Sequence, residues 1–131
     1  MIALDTNVVV RFLVEDDREQ SERARAFLES QNRAGEPCLI TDIVVCEIVW
    51  VLESCYRFDR AEIYEVLRSL LRARQLRFQS ADLVARALQR YAKGKADVSD
   101  YLLDEVGRSL GSSATATFDR GLSGESRFLL L

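Results

Sequence analysis

Five acidic residues occupy positions at which a folded chain could put carboxylates to chemical use. Asp5 follows the short apolar run Ile2-Ala3-Leu4 and precedes Thr6 and Asn7, a pattern of buried strand, corner and helix start. Asp119 closes a second such run, Ala114-Thr115-Ala116-Thr117-Phe118. Strands of a parallel sheet share a direction, so these two carboxylates are expected at one sheet edge, where α/β folds place their sites. Glu47 is the only charged residue of segment 43–52, whose helix is so apolar that burial nearly all round is expected. A carboxylate enclosed in that way must be paired with a buried Arg or Lys, protonated, or bound to a cation. Asp97 and Asp100, in Ala96-Asp97-Val98-Ser99-Asp100-Tyr101-Leu102, fall on one side of a helix's first turn, where an acid can serve as cap or as ligand.

Carboxylates gathered at one edge repel, and some would stay protonated at neutral pH unless a divalent cation joined them. The chain has no histidine, which excludes imidazole catalysis and His-ligated metal sites, and Cys38, Cys46 and Cys55 lack paired spacing, so neither a zinc site nor a disulfide framework is suggested. The thiols are expected to be reduced and buried. Oxygen ligands alone favour Mg²⁺ or Mn²⁺, ions that keep several waters and pair with substrate phosphate, which fits a phosphodiester substrate. The implied reaction is hydrolysis by a metal-activated water attacking phosphorus in line. Asp5, Glu47 and Asp100 are the expected ligands of the principal ion, with Asp119 on a second ion or positioning water. Thr6, Asn7 and Thr117 are placed to orient those carboxylates.

The elements that must position these residues follow from periodicity. Amphipathic helices are expected over 17–33 and 59–74, and another after Ser80 carries Leu83, Val84, Ala87, Leu88 and Tyr91 inward. Short strands are expected at Cys38-Leu39-Ile40, at Leu76-Arg77-Phe78 and at the closing Arg127-Phe128-Leu129-Leu130-Leu131. The alternation predicts an α/β fold: one domain over residues 1–131 with a mainly parallel central sheet of four to five strands flanked by helices. With 131 residues, 48% of them apolar, the chain can bury a core of its own, and no apolar run approaches the length of a membrane span. A cytoplasmic protein is expected. The formal charge of −3 argues against a strongly basic DNA-reading module, while leaving room for a local basic patch.

Leu4-Asp5-Thr6-Asn7, the acid in the apolar helix after Thr41, the Asp97–Asp100 segment and Thr117-Phe118-Asp119, in that order, resemble the PIN-domain ribonucleases, and within them the VapC toxins of bacterial toxin–antitoxin pairs. The resemblance covers essentially the whole chain. It implies a Mg²⁺- or Mn²⁺-dependent endoribonuclease that cuts structured RNA, tRNA being the expected substrate. It also implies a homodimer silenced by a cognate VapB-like antitoxin whose tail covers the acidic site. In that family the acid matching Asp100 is the more regular ligand, which ranks Asp97 below it. Arg11, Lys93, Lys95 and Arg120 are the RNA-binding candidates, chosen for nearness to the acidic motifs. Tyr101 could stack on a base, although a core role suits an aromatic in that helix better. Asp104-Glu105 departs from the family, which more often has small apolar residues there.

Two rival readings differ in class. A catalytically silent PIN-like binding module would keep the acidic edge as a docking surface. A phosphotransfer protein would also put an acid at a strand end, but the phosphatase pattern needs a second Asp where this chain has Asn7.

Overall fold

The computed structural model describes all 131 residues, and contacts within the chain gather into two compact units, Met1–Ala81 and Asp82–Leu131. In the first unit the order is β1 (Ile2–Ala3), α1 (Thr6–Leu13), α2 (Arg18–Arg33), β2 (Cys38–Ile40), α3 (Asp42–Tyr56), α4 (Arg60–Arg72) and β3 (Leu76–Phe78). In the second, α5 (Ala81–Lys93) leads to α6 (Val98–Ser109), β4 (Thr115–Thr117), a single 3₁₀ turn (Arg120–Leu122) and β5 (Phe128–Leu130). No helix is long and apolar enough to cross a membrane.

The expected α/β alternation and parallel pairing are present. All five strands pair in parallel, divided between a three-stranded sheet in the order β1-β2-β3 and a two-stranded sheet of β4 and β5. Each strand is only two or three residues long, so loop hydrogen bonds extend the ladders. The Leu4 N–H donates to the Leu39 carbonyl at 2.9 Å, carrying the pairing of β1 to the residue before Asp5. At the same strand ends the Asp42 N–H donates to Gln79 Oε1 and Ser80 Oγ to Asp42 Oδ2, tying the start of α3 to the exit of β3.

Local chemistry starts the helices where the sequence suggested. Asp17 Oδ1 accepts from the Gln20 N–H at 3.0 Å to begin α2, and Asp59 and Glu62 form a reciprocal capping box at α4. Thr41 Oγ1 accepts from the Val44 N–H to begin α3. That helix is not buried all round, however. Val45, Ile48 and Leu52 are fully enclosed, whereas Ile43, Glu47 and Trp50 form an exposed stripe in which Ile43 is 72% and Trp50 65% accessible. The apolar pattern misled because apolar residues are common on surfaces; only a buried polar group is strongly informative. The thiols differ from expectation for the same reason, since Cys38 is buried but Cys46 is half-buried and Cys55 exposed.

The second unit is organised around charges that the sequence made conspicuous without explaining. Asp104 and Glu105 in α6 are 0% and 2% exposed. Arg90 of α5 donates to both carboxylates at 2.8 Å, and Arg127 before β5 donates to Asp104 through Nε at 2.8 Å and Nη2 at 3.3 Å. Thr115 Oγ1 of β4 donates to Asp104 Oδ1 at 2.6 Å. Arg127 spends its remaining donors on the Ser112 and Ser113 carbonyls and holds φ at +71°, a left-handed conformation unfavourable for a side chain this size. Its five-donor fork makes that geometry worthwhile.

Removing one arginine would strand a buried carboxylate, which costs about 3–5 kcal/mol. Arg127→Ala should therefore unfold at a much lower urea concentration than the wild type. Burial alone would push the Asp104 carboxyl up, but hydrogen bonds from Arg127, Thr115 and Arg90 hold it below the usual carboxylate range. Asp104 then contributes stability that is full above about pH 4 and lost as the pH falls through its lowered value. Acid unfolding followed by circular dichroism should show this component in the wild type and not in Asp104→Asn.

Candidate metal centre

Asp5 stands at the end of β1 as the N-cap of α1, exposed, with its Oδ1 accepting from the Thr6 N–H at 2.9 Å. Thr6 is itself buried, and its hydroxyl has no hydrogen-bond partner, so its contribution to Asp5 comes from the backbone. Asn7 is exposed and lines a cavity of about 590 Å³ between α1 and α2 with Val8, Ala24 and Phe27. Glu47 lies on α3, which packs against α1. It is exposed and forms no ion pair, so the expectation of an enclosed carboxylate is corrected, and the alternative of a buried arginine partner is not realised either.

Arg11, one of the candidate RNA contacts, is engaged within the first unit. Its Nε donates to Gln20 Oε1 at 2.7 Å, and its Nη1 to Asp16 Oδ1 at 3.0 Å and to the Tyr56 hydroxyl at 3.1 Å, while Tyr56 donates to Asp16. The guanidinium joins α1, α2 and α3 through Nε and Nη1.

In the second unit Asp97 is the N-cap of α6, and Asp100 one turn on reaches back so that Oδ2 accepts from the Asp97 N–H at 3.1 Å. The capping carboxylate is thus that of Asp100, the residue ranked higher as a ligand. Asp119 follows β4 and caps the 3₁₀ turn, its Oδ1 accepting from the Gly121 N–H at 2.8 Å. Thr117 accepts from the Asp119 N–H through Oγ1 at 3.0 Å, so it fixes the backbone of Asp119 rather than the carboxylate. Burial pushes the half-buried Asp100 carboxyl above its ordinary value, and the charges of Asp97 and Asp119 push it the same way. Asp97 and Asp119 are therefore each within electrostatic reach of Asp100. Lys93 ends α5, Lys95 follows it and Arg120 opens the 3₁₀ turn, all three exposed. Tyr101 is buried under Arg90, whose guanidinium lies 5.0 Å from the ring centre, and so belongs to the core.

The donor chemistry fits a hard divalent ion. Asp5, Asp100 and Asp119 each accept from a backbone N–H, and none pairs with Lys or Arg. One turn beyond Asp100 on the same helix, Asp104 receives two arginines. Asp104 and Glu105 are neutralised by arginine, and Asp5, Asp100 and Asp119 are not. No three acidic or thiol side chains come together in a group that could by itself hold a metal ion. Mg²⁺ does not require one, since it binds through one or two carboxylates and completes an octahedron with water and phosphate.

Short parallel strands alternating with helices, two of the strands followed by acids that no Lys or Arg pairs, define an α/β protein. The PIN domain family matches residues 2–124, a stretch that runs through both units, and the chain belongs to that family. A VapC ribonuclease from Aquifex aeolicus (strain VF5) is 28% identical over 120 residues, covering 92% of this chain and 88% of that protein.

The raised Asp100 carboxyl means that its ionised form opposes folding, an effect absent at low pH and complete above the shifted value. Asp100→Asn removes the charge and keeps an acceptor for the Asp97 N–H. Calorimetry in chelator should find the variant more heat-stable than the wild type, by about 2 °C for a gain of ~0.5 kcal/mol. A lower melting temperature would mean that capping outweighs repulsion.

Proposed function

We propose that the protein is a divalent-metal-dependent endoribonuclease, a toxin of the VapC kind that cleaves structured RNA, with tRNA as its substrate. The observation that carries this reading is the contrast within α6: Asp104 is matched by arginines, while Asp100 feels the charges of Asp97 and Asp119 with no cation of the protein to neutralise it. The relative named a VapC ribonuclease supports the choice of RNA as substrate.

Asp5, Glu47, Asp100 and Asp119 are the proposed ligands, with Asp97 a lesser one. When bound there, Mg²⁺ or Mn²⁺ supplies an acidified water and neutralises charge developing at phosphorus. The chain's own part is to orient these acids. The Thr6 N–H fixes Asp5, the Asp97 N–H fixes Asp100, and Gly121 and Thr117 fix Asp119 from two sides. Lys93, Lys95 and Arg120, exposed in the second unit, are the proposed phosphate contacts. A VapB-like antitoxin, a homodimer and a cytoplasmic setting complete the reading.

Purified antitoxin-free protein incubated with a tRNA pool should give discrete fragments with Mn²⁺ or Mg²⁺ and none with chelator. Asp5→Asn should slow cleavage about 100-fold or more while leaving the fold intact. Intact RNA in several divalent ions would favour the silent binding module instead.

A further inference from the structure

One acid of the second unit has no role so far. Glu125 lies in the turn between the 3₁₀ segment and β5, and its Oε1 accepts from the Lys95 N–H at 3.0 Å and from the Tyr101 hydroxyl at 2.8 Å. The Tyr101 oxygen in turn accepts from the Ala96 N–H at 3.2 Å. These partners flank the acids of α6, since Ala96 immediately precedes Asp97 and Tyr101 immediately follows Asp100.

At its other end Glu125 is connected to Asp119. The Glu125 N–H donates to the Leu122 carbonyl at 3.0 Å, and the Leu122 N–H donates to the Asp119 carbonyl at 3.1 Å. An unbroken hydrogen-bonded path thus runs from the Asp119 backbone to the residues on either side of Asp97 and Asp100. Gly94 leaves room for it: a Cβ there would collide with the Tyr101 hydroxyl and lie 2.9 Å from Glu125 Oε1. Arg90 stacks on the Tyr101 ring, holding the phenol from the opposite side to its hydroxyl contacts.

We propose that Glu125 and Tyr101 form a latch that fixes the distance between the Asp97–Asp100 turn and the Asp119 turn, and so sets the affinity of these acids for a divalent cation. The proposal rests on the metal-binding reading above and adds positioning residues to it. Its physical basis is preorganisation. Like charges on two turns drive the turns apart, and a cation binding to separated turns must first draw them together. The latch joins them in advance, outside the ligand set, by the same logic that makes hydrogen-bond partners of metal ligands matter to affinity.

The test measures Mn²⁺ binding calorimetrically on metal-free protein, alongside thermal unfolding in chelator. Glu125→Ala loses both bonds and should bind Mn²⁺ about 10-fold more weakly. Tyr101→Phe keeps the packed ring, loses the hydroxyl and should weaken binding in the same direction. Glu125→Gln keeps an acceptor oxygen and should stay within about twofold of wild type. RNA cleavage by Glu125→Ala should return towards the wild-type rate at a correspondingly higher Mn²⁺ concentration. Unchanged Mn²⁺ affinity in folded Glu125→Ala, or in Tyr101→Phe should the former not fold, overturns the latch. An equal loss in Glu125→Gln assigns the effect to charge and overturns it too. Wild type that binds no Mn²⁺ would sink the metal reading and the latch together. Wild type that binds Mn²⁺ without cutting RNA would sink only the nuclease.

Discussion

The buried ion network of Arg90, Asp104, Glu105 and Arg127 is the interaction on which the second unit depends. Its four residues come from α5, α6 and the segment before β5, and Thr115 adds β4, so nearly every element of the unit meets at Asp104. An enclosed carboxylate is costly unless its lone pairs are filled; those of Asp104 are filled from three directions, whereas Glu105 keeps Oε1 without a hydrogen-bond partner. Such a network has little freedom of geometry. It fixes α6 about its axis and, with it, the first turn of the helix, which carries Asp97 and Asp100.

Two kinds of acid therefore share one helix. Asp104 and Glu105 are buried and neutralised by arginine, whereas Asp100 and the exposed Asp97 receive no cation from the protein. The difference is not one of residue type or even of neighbourhood, because a single turn separates Asp100 from Asp104. It is decided by which groups the other elements bring to each face.

The first unit meets the same need with backbone geometry. A three-residue β2 pairs in parallel with its neighbours on both sides, and hydrogen bonds beyond the regular ladder carry the order to the residue before Asp5 and to Gln79. The helix N-termini that follow then supply N–H groups to hydroxyl and carboxylate side chains, as at Thr6 and Thr41. The same device recurs at Asp119, where the N–H of Gly121 fixes the carboxylate. Each acid is thus aimed by a hydrogen bond within a few residues of it, and its distance from the others is left to longer-range ties such as the one through Glu125.

By itself the sequence determined the order and kind of the elements, because hydrophobic period, capping residues and strand-ending acids are local signals read over a few residues. It also determined the family, through four short motifs in order, and excluded imidazole catalysis and histidine-ligated metal sites by the absence of histidine. Only the tertiary structure decided what each charged residue does. The apolar helix around Glu47 turned an exposed stripe to one side, Arg11 was taken up by Asp16 and Tyr56, and Asp104 and Glu105 were buried against arginines 14 or more residues away in the chain. Burial and charge pairing depend on which distant segments arrive at a given face. No local pattern encodes that, so a carboxylate that binds a cation and one that merely closes a core look alike until the chain has folded.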